Sequence, residues 1–343
     1  MIIRPAQPED NPALCRMELM APQGSAIRLT DRRFDFFTRA RNFPGSELIV
    51  AADDKTGQLI GVLGGVQVKL RVGGRERLGG FLFDFRSNPE YRHGLGRTIY
   101  RLWREVEQRL LKAGTEFIYG LVKEDNPANS IYLRMGCKKL GARLFWTLPV
   151  YRRQPVPDGL AVRKHIDAAA DYREAVQWYQ GYDLWPVIPD PSILQPLLDR
   201  YLHAELSYEG ATLKIWDGTL DYERIVTAGP RIYEVIRPVA DAIRPLIPVP
   251  RIPRVGQPLR TWYLYDLRLP NGVRSLRPLL AAANNLALEH GVDFLIVSAS
   301  AGEPELAPAG RGALVRLKYD LVIKEYEPVP EISDRFFLDI RTV

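Results

Sequence analysis

The chain of 343 residues contains few of the residues that build metal sites and disulfide frameworks, and it has no long apolar run. Its two cysteines, Cys15 and Cys137, and its four scattered histidines form no cluster with the spacing of a zinc site. Two cysteines also argue against a disulfide framework and favour a reducing compartment. No apolar run is long enough to span a membrane, and the N-terminus lacks a signal-peptide pattern. These absences predict a cytoplasmic protein with no metal and no membrane partner.

Concentrated basic charge is missing as well. The 47 lysines and arginines exceed the 41 acidic residues and give a net charge of +6, but they are dispersed along the chain. Proteins that bind nucleic acid usually collect such residues on one arm or face, so we expect no nucleic-acid partner. A mildly positive chain suits a small anionic ligand. With 46% hydrophobic residues the chain can bury a full core, and its length favours two domains.

The stretch 81–96, FLFDFRSNPEYRHGLG, carries the main functional signal. It predicts a strand over 81–87, a short loop, and a turn with glycines at 94 and 96 that opens a long amphipathic helix. The first turn of a helix has unpaired N–H groups and partial positive charge, and glycine lets a phosphate come close. The pattern predicts either an anion site or a plain tight turn. It is neither a Walker phosphate loop nor a dinucleotide fingerprint, because the further residues of those motifs are missing.

Other elements are predicted on both sides of this stretch. Antiparallel strands lead into it, at 47–52, 58–72 and 75–87, with a bulge at Gly64-Gly65. A helix is predicted over 31–41. A buried strand over 116–122 must lie parallel to the strand at 81–87, because a helix connects the two. After it, Asn126 is placed to cap a short helix that ends at Gly136.

Two blocks of sequence together resemble signatures of the GNAT superfamily of acyl-CoA-dependent N-acyltransferases. In the first, Asn88-Pro89-Glu90-Tyr91-Arg92 resembles the lead and Gly94-Leu95-Gly96 the close of the family's pyrophosphate-binding turn. In the second, Asn126, Ala128 or Asn129, Tyr132 and Gly136 resemble the family pattern Asn-x-x-Ala-x-x-x-Tyr-x-x-x-Gly-Phe, with Cys137 in place of Phe. One departure is that Arg92 stands two residues before Gly94, where the family has three. The resemblance covers about the first 150 residues.

The resemblance implies an α/β fold of two tandem GNAT-like domains. Each is expected to be a mixed, mostly antiparallel twisted sheet with helices on both faces and a parallel strand pair at the cofactor cleft. Residues 1–150 would form the catalytic domain, 151–159 a linker, and 160–343 a second, degenerate copy. The second half repeats the order of elements with a period of about 170 residues. It has a lone glycine, Gly272, at the corresponding turn.

The implied function is transfer of an acetyl group from acetyl-CoA to a primary amine by direct attack, without an acyl-enzyme. The acceptor would be a small molecule or a peptide, and the protein a monomer or homodimer. The residues implied in cofactor binding are Phe85, Arg86, Ser87, Arg92, His93, Gly94, Leu95, Gly96, Arg97, Asn126 and Asn129. His93 is alternatively a solvent-exposed turn residue. An alternative for the whole protein is a non-catalytic acyl-CoA-binding or regulatory protein.

Two residues are the catalytic candidates. Tyr132 matches the family tyrosine whose phenol lies near the cofactor sulfur, and it is predicted to be the general acid; the alternative is a core aromatic on an amphipathic helix. Asp84 is the candidate base, directly or through a water, since the family often has a carboxylate on this strand. Burial between Phe83 and Phe85 would raise the pKa of its carboxyl. The alternative is an edge-facing or salt-bridged aspartate.

Overall fold

The computed structural model describes residues 1–24, 27–91, 95–126, 128–244 and 246–342. The helices in these ranges are Asn11–Leu19 (α1), Thr38–Arg41 (α2), Leu95–Lys112 (α3), Ala128–Arg134 (α4), Ala168–Trp178 (α5), Gln195–Tyr201 (α6), Ile232–Ile243 (α7) and Leu276–Glu289 (α8). None of them is long and apolar enough to cross a membrane.

The strands fall on both sides of the midpoint of the chain. In the first half they are Ile2–Pro5 (β1), Arg28–Arg33 (β2), Glu47–Ala52 (β3), Leu59–Val72 (β4), Arg75–Ser87 (β5), Phe117–Lys123 (β6) and Lys138–Pro149 (β7). In the second half they are Ala161–Arg163 (β8), Trp185–Pro186 (β9), Leu202–Tyr208 (β10), Ala211–Trp216 (β11), Tyr222–Ala228 (β12), Pro258–Leu259 (β13), Thr261–Arg268 (β14), Phe294–Ser300 (β15) and Val315–Glu325 (β16).

One large sheet runs through both halves of the chain. Its order is β1-β3-β4-β5-β6-β16-β7-β15-β14-β11-β10-β8, with β9 paired to β4. Neighbours are antiparallel, except that β5 is parallel to β6 and β14 is parallel to β15. The predicted mixed, mostly antiparallel sheet with parallel pairs is thereby confirmed.

The strands of the two halves are interleaved at the centre of this sheet. The last strand, β16, lies between β6 and β7, and β7 in turn pairs with β15 of the second half. The boundary predicted at 151–159 falls between β7 and β8. Because the sheet continues across it, the division into domains at 1–150 and 160–343 stays a prediction.

A smaller sheet corrects the prediction of a helix over 31–41. Residues 28–33 form β2, which pairs with β12 of the second half, and only Thr38–Arg41 are helical. The partner strand comes from nearly 200 residues further along the chain. Long-range pairing of this kind overrides a local helical pattern.

Helices cover both faces of the first half of the large sheet. Because side chains alternate along a strand, Val62 and Phe83 pack in the cluster that contains α1, while Leu63 and Leu82 pack with α3. Gly65 lets α3 approach closely, since a Cβ there would lie 2.7 Å from Cγ1 of Val106. The bulge predicted at Gly64-Gly65 lies instead on the partner strand, where Asp84 and Phe85 together oppose Leu63.

Candidate active site

A cleft opens in the sheet where β5 and β6 separate. The two strands pair only over residues 79–81 and 117–119, and the last pair is Phe81 with Tyr119. Beyond it β5 continues to Ser87 and β6 to Lys123, and β6 is covered on its other edge by β16. The edge of β5 beyond Phe81 has no strand partner on this side in the described residues. Its backbone groups are therefore available to an extended ligand.

The bulge at Asp84 shapes the wall of this cleft. Asp84 has a φ of 50°, a left-handed conformation that is uncommon outside glycine and better tolerated by Asp and Asn than by most residues. A bulge reverses which side chains face each side of a strand. Here Phe83 and Asp84 both point towards the α1 side, whereas Phe85 meets Tyr132 on the other side, with ring centroids 6.2 Å apart.

The carboxylate of Asp84 is held by two arginines. Arg33 donates to both of its oxygens, at 2.8 and 2.6 Å, and Arg39 donates at 2.6 Å. The Asp84 side chain is fully buried. Burial alone would raise its pKa, but the two adjacent guanidinium groups outweigh that effect and hold the pKa well below its ordinary value. The expected rise in pKa is therefore wrong, and the alternative of a salt-bridged aspartate is confirmed.

Arg86 is likewise engaged in an ion pair. It donates to both carboxylate oxygens of Glu18 on α1, at 2.8 and 3.1 Å, and to the carbonyl of Phe85 at 3.0 Å. The Arg86 side chain therefore braces β5 against α1. What the segment 85–87 presents to the cleft is its backbone, and Phe85 and Ser87 are half-buried.

Tyr132 lies on α4 beside the point where the strands separate. Its ring packs edge-on against Trp103, with centroids 5.2 Å apart. A Cβ added to Gly120 of β6 would lie 3.7 Å from the Tyr132 hydroxyl and 3.5 Å from the carbonyl oxygen of Leu82 on β5. The phenol thus reaches the gap between β5 and β6. Burial raises the pKa of Tyr132, so the hydroxyl stays protonated far above neutral pH.

Two asparagines shape the turn between β6 and α4. Asn126 accepts a hydrogen bond from the amide of Ala128 at 2.9 Å, as the capping prediction required. The buried side chain of Asn129 donates to the carbonyls of Lys123 and Glu124, at 2.8 and 3.0 Å. Its Oδ1 atom is buried and accepts no hydrogen bond from any residue that the structure describes. That oxygen is a free acceptor beside the cleft.

The N-terminus of α3 provides the exposed end of the site. Gly96 and Arg97 in its first turn are exposed, and a Cβ on Gly96 would meet nothing within 4 Å. The predicted contacts of Arg92, His93 and Gly94, and that of the Leu95 side chain, lie outside the described residues. The segment before these residues is anchored to β4, since the Asn88 side chain donates to the carbonyl of Leu59 at 3.1 Å.

Two small pockets lie beside the C-terminal segment, and the first of them adjoins the cleft. The first is apolar and begins at the last β5–β6 pair, with Phe43, Phe81, Tyr119 and Leu321 among its lining residues. The second is aromatic and lies between the halves, where Tyr201, Trp216 and Tyr263 line it together with Asn42 and Arg341. Residues 336–342 contribute to both pockets. The described residues hold no group of three or more acidic, histidine or cysteine side chains placed to bind a metal.

The second half also has a parallel strand pair that separates beside a bulge, but a different segment follows its second strand. Strands β14 and β15 pair over 261–264 and 294–297 and then separate, and Asp266 has a φ of 49° at a register shift. The 3-10 turn Pro304–Gly310 packs against the start of α8, where Ser275 and Leu276 are buried. This turn thus covers part of the start of α8, although Arg277 in the first turn of that helix is exposed.

Comparison with known proteins identifies this architecture. No protein-family model and no characterised protein matches the sequence. Two structures of Saccharomyces cerevisiae N-myristoyltransferase with bound myristoyl-CoA superpose with a TM-score of 0.64 at 12% and 11% identity, covering 96% of this chain and 80% and 84% of those chains. A GCN5-related N-acetyltransferase from Kribbella flavida gives 0.52 at 13% identity, covering 94% of this chain and 71% of that chain.

The fold is that of the GNAT superfamily. As in those neighbours, the GNAT fold here extends over both halves of the chain, which confirms the resemblance drawn from the two sequence blocks. At such identities the likeness establishes the fold, and the reaction has to be argued from the residues of the site. Sequence reasoning missed Arg33 and Arg39, which a helix over 31–41 would not have placed on Asp84. A signal for the bulges was present, since Phe83-Asp84-Phe85-Arg86 and Tyr265-Asp266-Leu267-Arg268 repeat one pattern.

Proposed function

We propose that this protein transfers an acyl group from a coenzyme A thioester to an amine, with acetyl-CoA as donor and a primary amine of a small molecule or peptide as acceptor. The observation that carries the proposal is the cleft between β5 and β6, with a bulge in one wall and the open N-terminus of an 18-residue helix beyond it. The structural neighbours with this fold are N-acyltransferases, which supports it.

The donor would lie along β5 and end at α3. Backbone groups of 85–87 suit the amide-containing pantetheine arm, and the free Oδ1 atom of Asn129 suits an amide N–H of the same arm. The exposed first turn of α3, with Gly96 and Arg97, suits the pyrophosphate. The roles predicted for Arg92, His93, Gly94 and Leu95 belong to this part of the proposal, and Asn126 acts by shaping the turn into α4.

Transfer would proceed by direct attack of the amine, because neither cysteine is an activated nucleophile. Burial raises the pKa of the Cys15 thiol, and it raises that of Cys137 to about 12, so neither thiol ionises appreciably at neutral pH. Protonated Tyr132 would donate a proton to the leaving thiolate. Backbone N–H groups near the bulge would stabilise the charge that develops on the thioester oxygen.

Asp84 is better suited to positioning than to accepting a proton. A carboxylate with a lowered pKa is a weak base, and all three of its arginine hydrogen bonds favour the ionised form. Its ion pairs with Arg33 and Arg39 join β5 to the segment between β2 and α2. We therefore assign Asp84 to holding the bulge and not to accepting the proton of the amine.

The apolar pocket supports a longer acyl donor as a second candidate. It begins at Phe81 and Tyr119, where the strands separate, and it is lined by aliphatic and aromatic side chains. The two N-myristoyltransferase structures contain myristoyl-CoA, and they match over 96% of this chain. Competition between acetyl-CoA and myristoyl-CoA for one site would rank the two donors.

The experiment is calorimetric titration with acetyl-CoA, followed by turnover of a panel of amines by the wild type and by Tyr132→Phe. We expect one site per chain, and a turnover number that falls about 10²-fold in Tyr132→Phe with unchanged donor affinity. Unchanged turnover would remove Tyr132 from the mechanism. Binding without turnover of any amine would favour a non-catalytic acyl-CoA-binding protein, and absence of binding to either acyl-CoA would refute the proposal.

A further inference from the structure

Helix α7 is amphipathic, and its apolar side is exposed in the part of the chain that the structure describes. None of its twelve residues is buried. The exposed apolar residues of this helix and of the segment that follows it form what we call the α7 stripe: Ile232, Val235, Ile236, Val239, Ile243, Leu246 and Ile247. At about 100° per residue, the five of these residues that lie within α7 fall in an arc of about 100°, and Leu246 and Ile247 lie in the segment after the helix. Single exposed apolar residues are common on protein surfaces, but a continuous stripe marks a binding surface.

The polar side of α7 contacts the proline-rich segment that follows the helix. The guanidinium of Arg237 donates to the carbonyl of Pro253 at 3.1 Å, and Asp241 pairs with Arg244 at 3.0 Å and with Arg254 at 2.6 Å. The proline-rich segment after α7 thus braces the helix from behind. This bracing leaves the α7 stripe facing outwards.

The charged residues of α7 lie beside and behind the stripe. Arg231 lies on one flank of the stripe, and Glu234 and Asp241 lie on the opposite side of the helix. Arg237 and Arg244 lie between the other flank and that acidic side, and Arg244 pairs with Asp241. Residues 229–256 carry five arginines and only these two acidic residues. Arg244 and Arg254 share Asp241, and Arg251 pairs with Asp293, so the surroundings of the apolar surface keep an excess of positive charge, with Arg231 next to the stripe.

We propose that the α7 stripe binds the surface of an anionic lipid bilayer, with α7 lying flat in the interface. An apolar face bordered by arginines matches a surface where acyl chains lie below anionic headgroups. A second copy of this chain fits less well, because pairing two stripes would bring the flanking arginines of both copies together. The expectation of no membrane partner rested on the lack of a spanning run, and a helix that lies flat needs none.

The experiment is flotation of the full chain with phosphatidylcholine vesicles, with and without phosphatidylglycerol. We expect the wild type to float with the anionic vesicles and to be released by high salt. The double variant Val235→Asp/Val239→Asp should bind at least about tenfold more weakly. The matched control is Leu220→Asp/Leu314→Asp, which adds the same charge at residues that are 56% and 58% exposed elsewhere, compared with 69% and 62% for the valines.

Retained flotation of the control, with loss for the stripe variant, would support the proposal. Failure of the wild type to float with anionic vesicles would overturn it, and so would equal flotation of the two double variants. A wild-type dimer that dissociates in the stripe variant without any flotation would assign the stripe to a second copy instead. Thermal melting of all variants checks folding, and both pairs should melt like the wild type because their side chains are exposed.

Discussion

The cleft between β5 and β6 and the cleft between β14 and β15 have the same backbone construction but differ in their surroundings. Each has a parallel pair that separates, and each has a left-handed aspartate, Asp84 or Asp266, at the bulge. Both aspartates are buried carboxylates bound by two cations: Arg33 and Arg39 in the first half, Lys214 and Arg268 in the second. This shared construction belongs to the fold and does not by itself indicate activity.

The difference lies in the segment that follows the second strand of each parallel pair. In the first half, β6 leads into α4, which brings Tyr132 to the cleft while the start of α3 stays exposed. In the second half, β15 leads into the 3-10 turn Pro304–Gly310, which packs on the start of α8 and adds Leu306 and Ala309 to the core.

The largest expected effect on stability comes from replacing the buried aspartates, which the two clefts share. Asp84→Asn and Asp266→Asn preserve side-chain shape and the left-handed backbone. The first removes the carboxylate that Arg33 and Arg39 share, whereas in the second Lys214 and Arg268 keep Asp171 as a partner. Asp84→Asn should lower the free energy of unfolding by about 3–5 kcal/mol, and Asp266→Asn should lower it by less, measured by urea denaturation. Only Asp84→Asn should also weaken acyl-CoA binding, measured on folded protein at low temperature. Losses below about 1 kcal/mol in both variants would mean that water screens these ion pairs.

The two buried aspartates, Asp84 and Asp266, also predict how the stability of the protein depends on pH. The pKa values of Asp84 and Asp266 are lowered in the folded state, because neighbouring cations outweigh burial. Their contribution is complete above the pKa of an unfolded aspartate, about 3.9, and is lost as the pH falls towards the folded values, since the unfolded chain then binds more protons. The stability difference between the wild type and either Asn variant should shrink below about pH 4. A difference that stays constant down to pH 2 would contradict this account.

A smaller effect, on the affinity for acetyl-CoA, distinguishes the start of α3 from the start of α8. Gly96→Glu places a carboxylate in the open first turn of α3, where a Cβ meets no atoms, so the fold should be retained. The affinity for acetyl-CoA should fall about tenfold or more through repulsion of the pyrophosphate. The control is Val273→Glu in the exposed 3-10 turn before α8, which should leave the affinity unchanged. Equal losses in the two variants would place a donor site in each half.

The smallest effect concerns one hydroxyl group. Tyr265 stands where the first half has Phe83, and its buried hydroxyl has no hydrogen-bond partner in the part of the chain that the structure describes. Tyr265→Phe should therefore raise the free energy of unfolding by about 1 kcal/mol, without a change in donor affinity. Urea denaturation measures this change, and Tyr263→Phe, which removes a hydroxyl bonded to Arg224 at 3.0 Å, should shift stability in the opposite direction.

Local sequence patterns predicted those parts of the site that are determined by residues close together in the sequence. The meander into β5, the crossover through α3 and the cap at Asn126 all follow from periodicity, glycine turns and capping preferences. The pKa direction of Asp84 did not follow, because it depends on arginines that lie 45 and 51 residues away in the sequence. The strand at 28–33 was missed for the same reason, since its partner β12 lies in the other half.

The position of β16 between β6 and β7 has a consequence for the order of folding during synthesis. Glu124, just after β6, pairs with Lys318 of β16, and these residues are 194 positions apart along the chain. Until β16 has left the ribosome, β6 and β7 expose unpaired edges that are prone to pair with other chains. A ribosome that stops after residue 150 would therefore carry an incomplete sheet. The sheet of the first half is complete only when β16 pairs with β6 and β7.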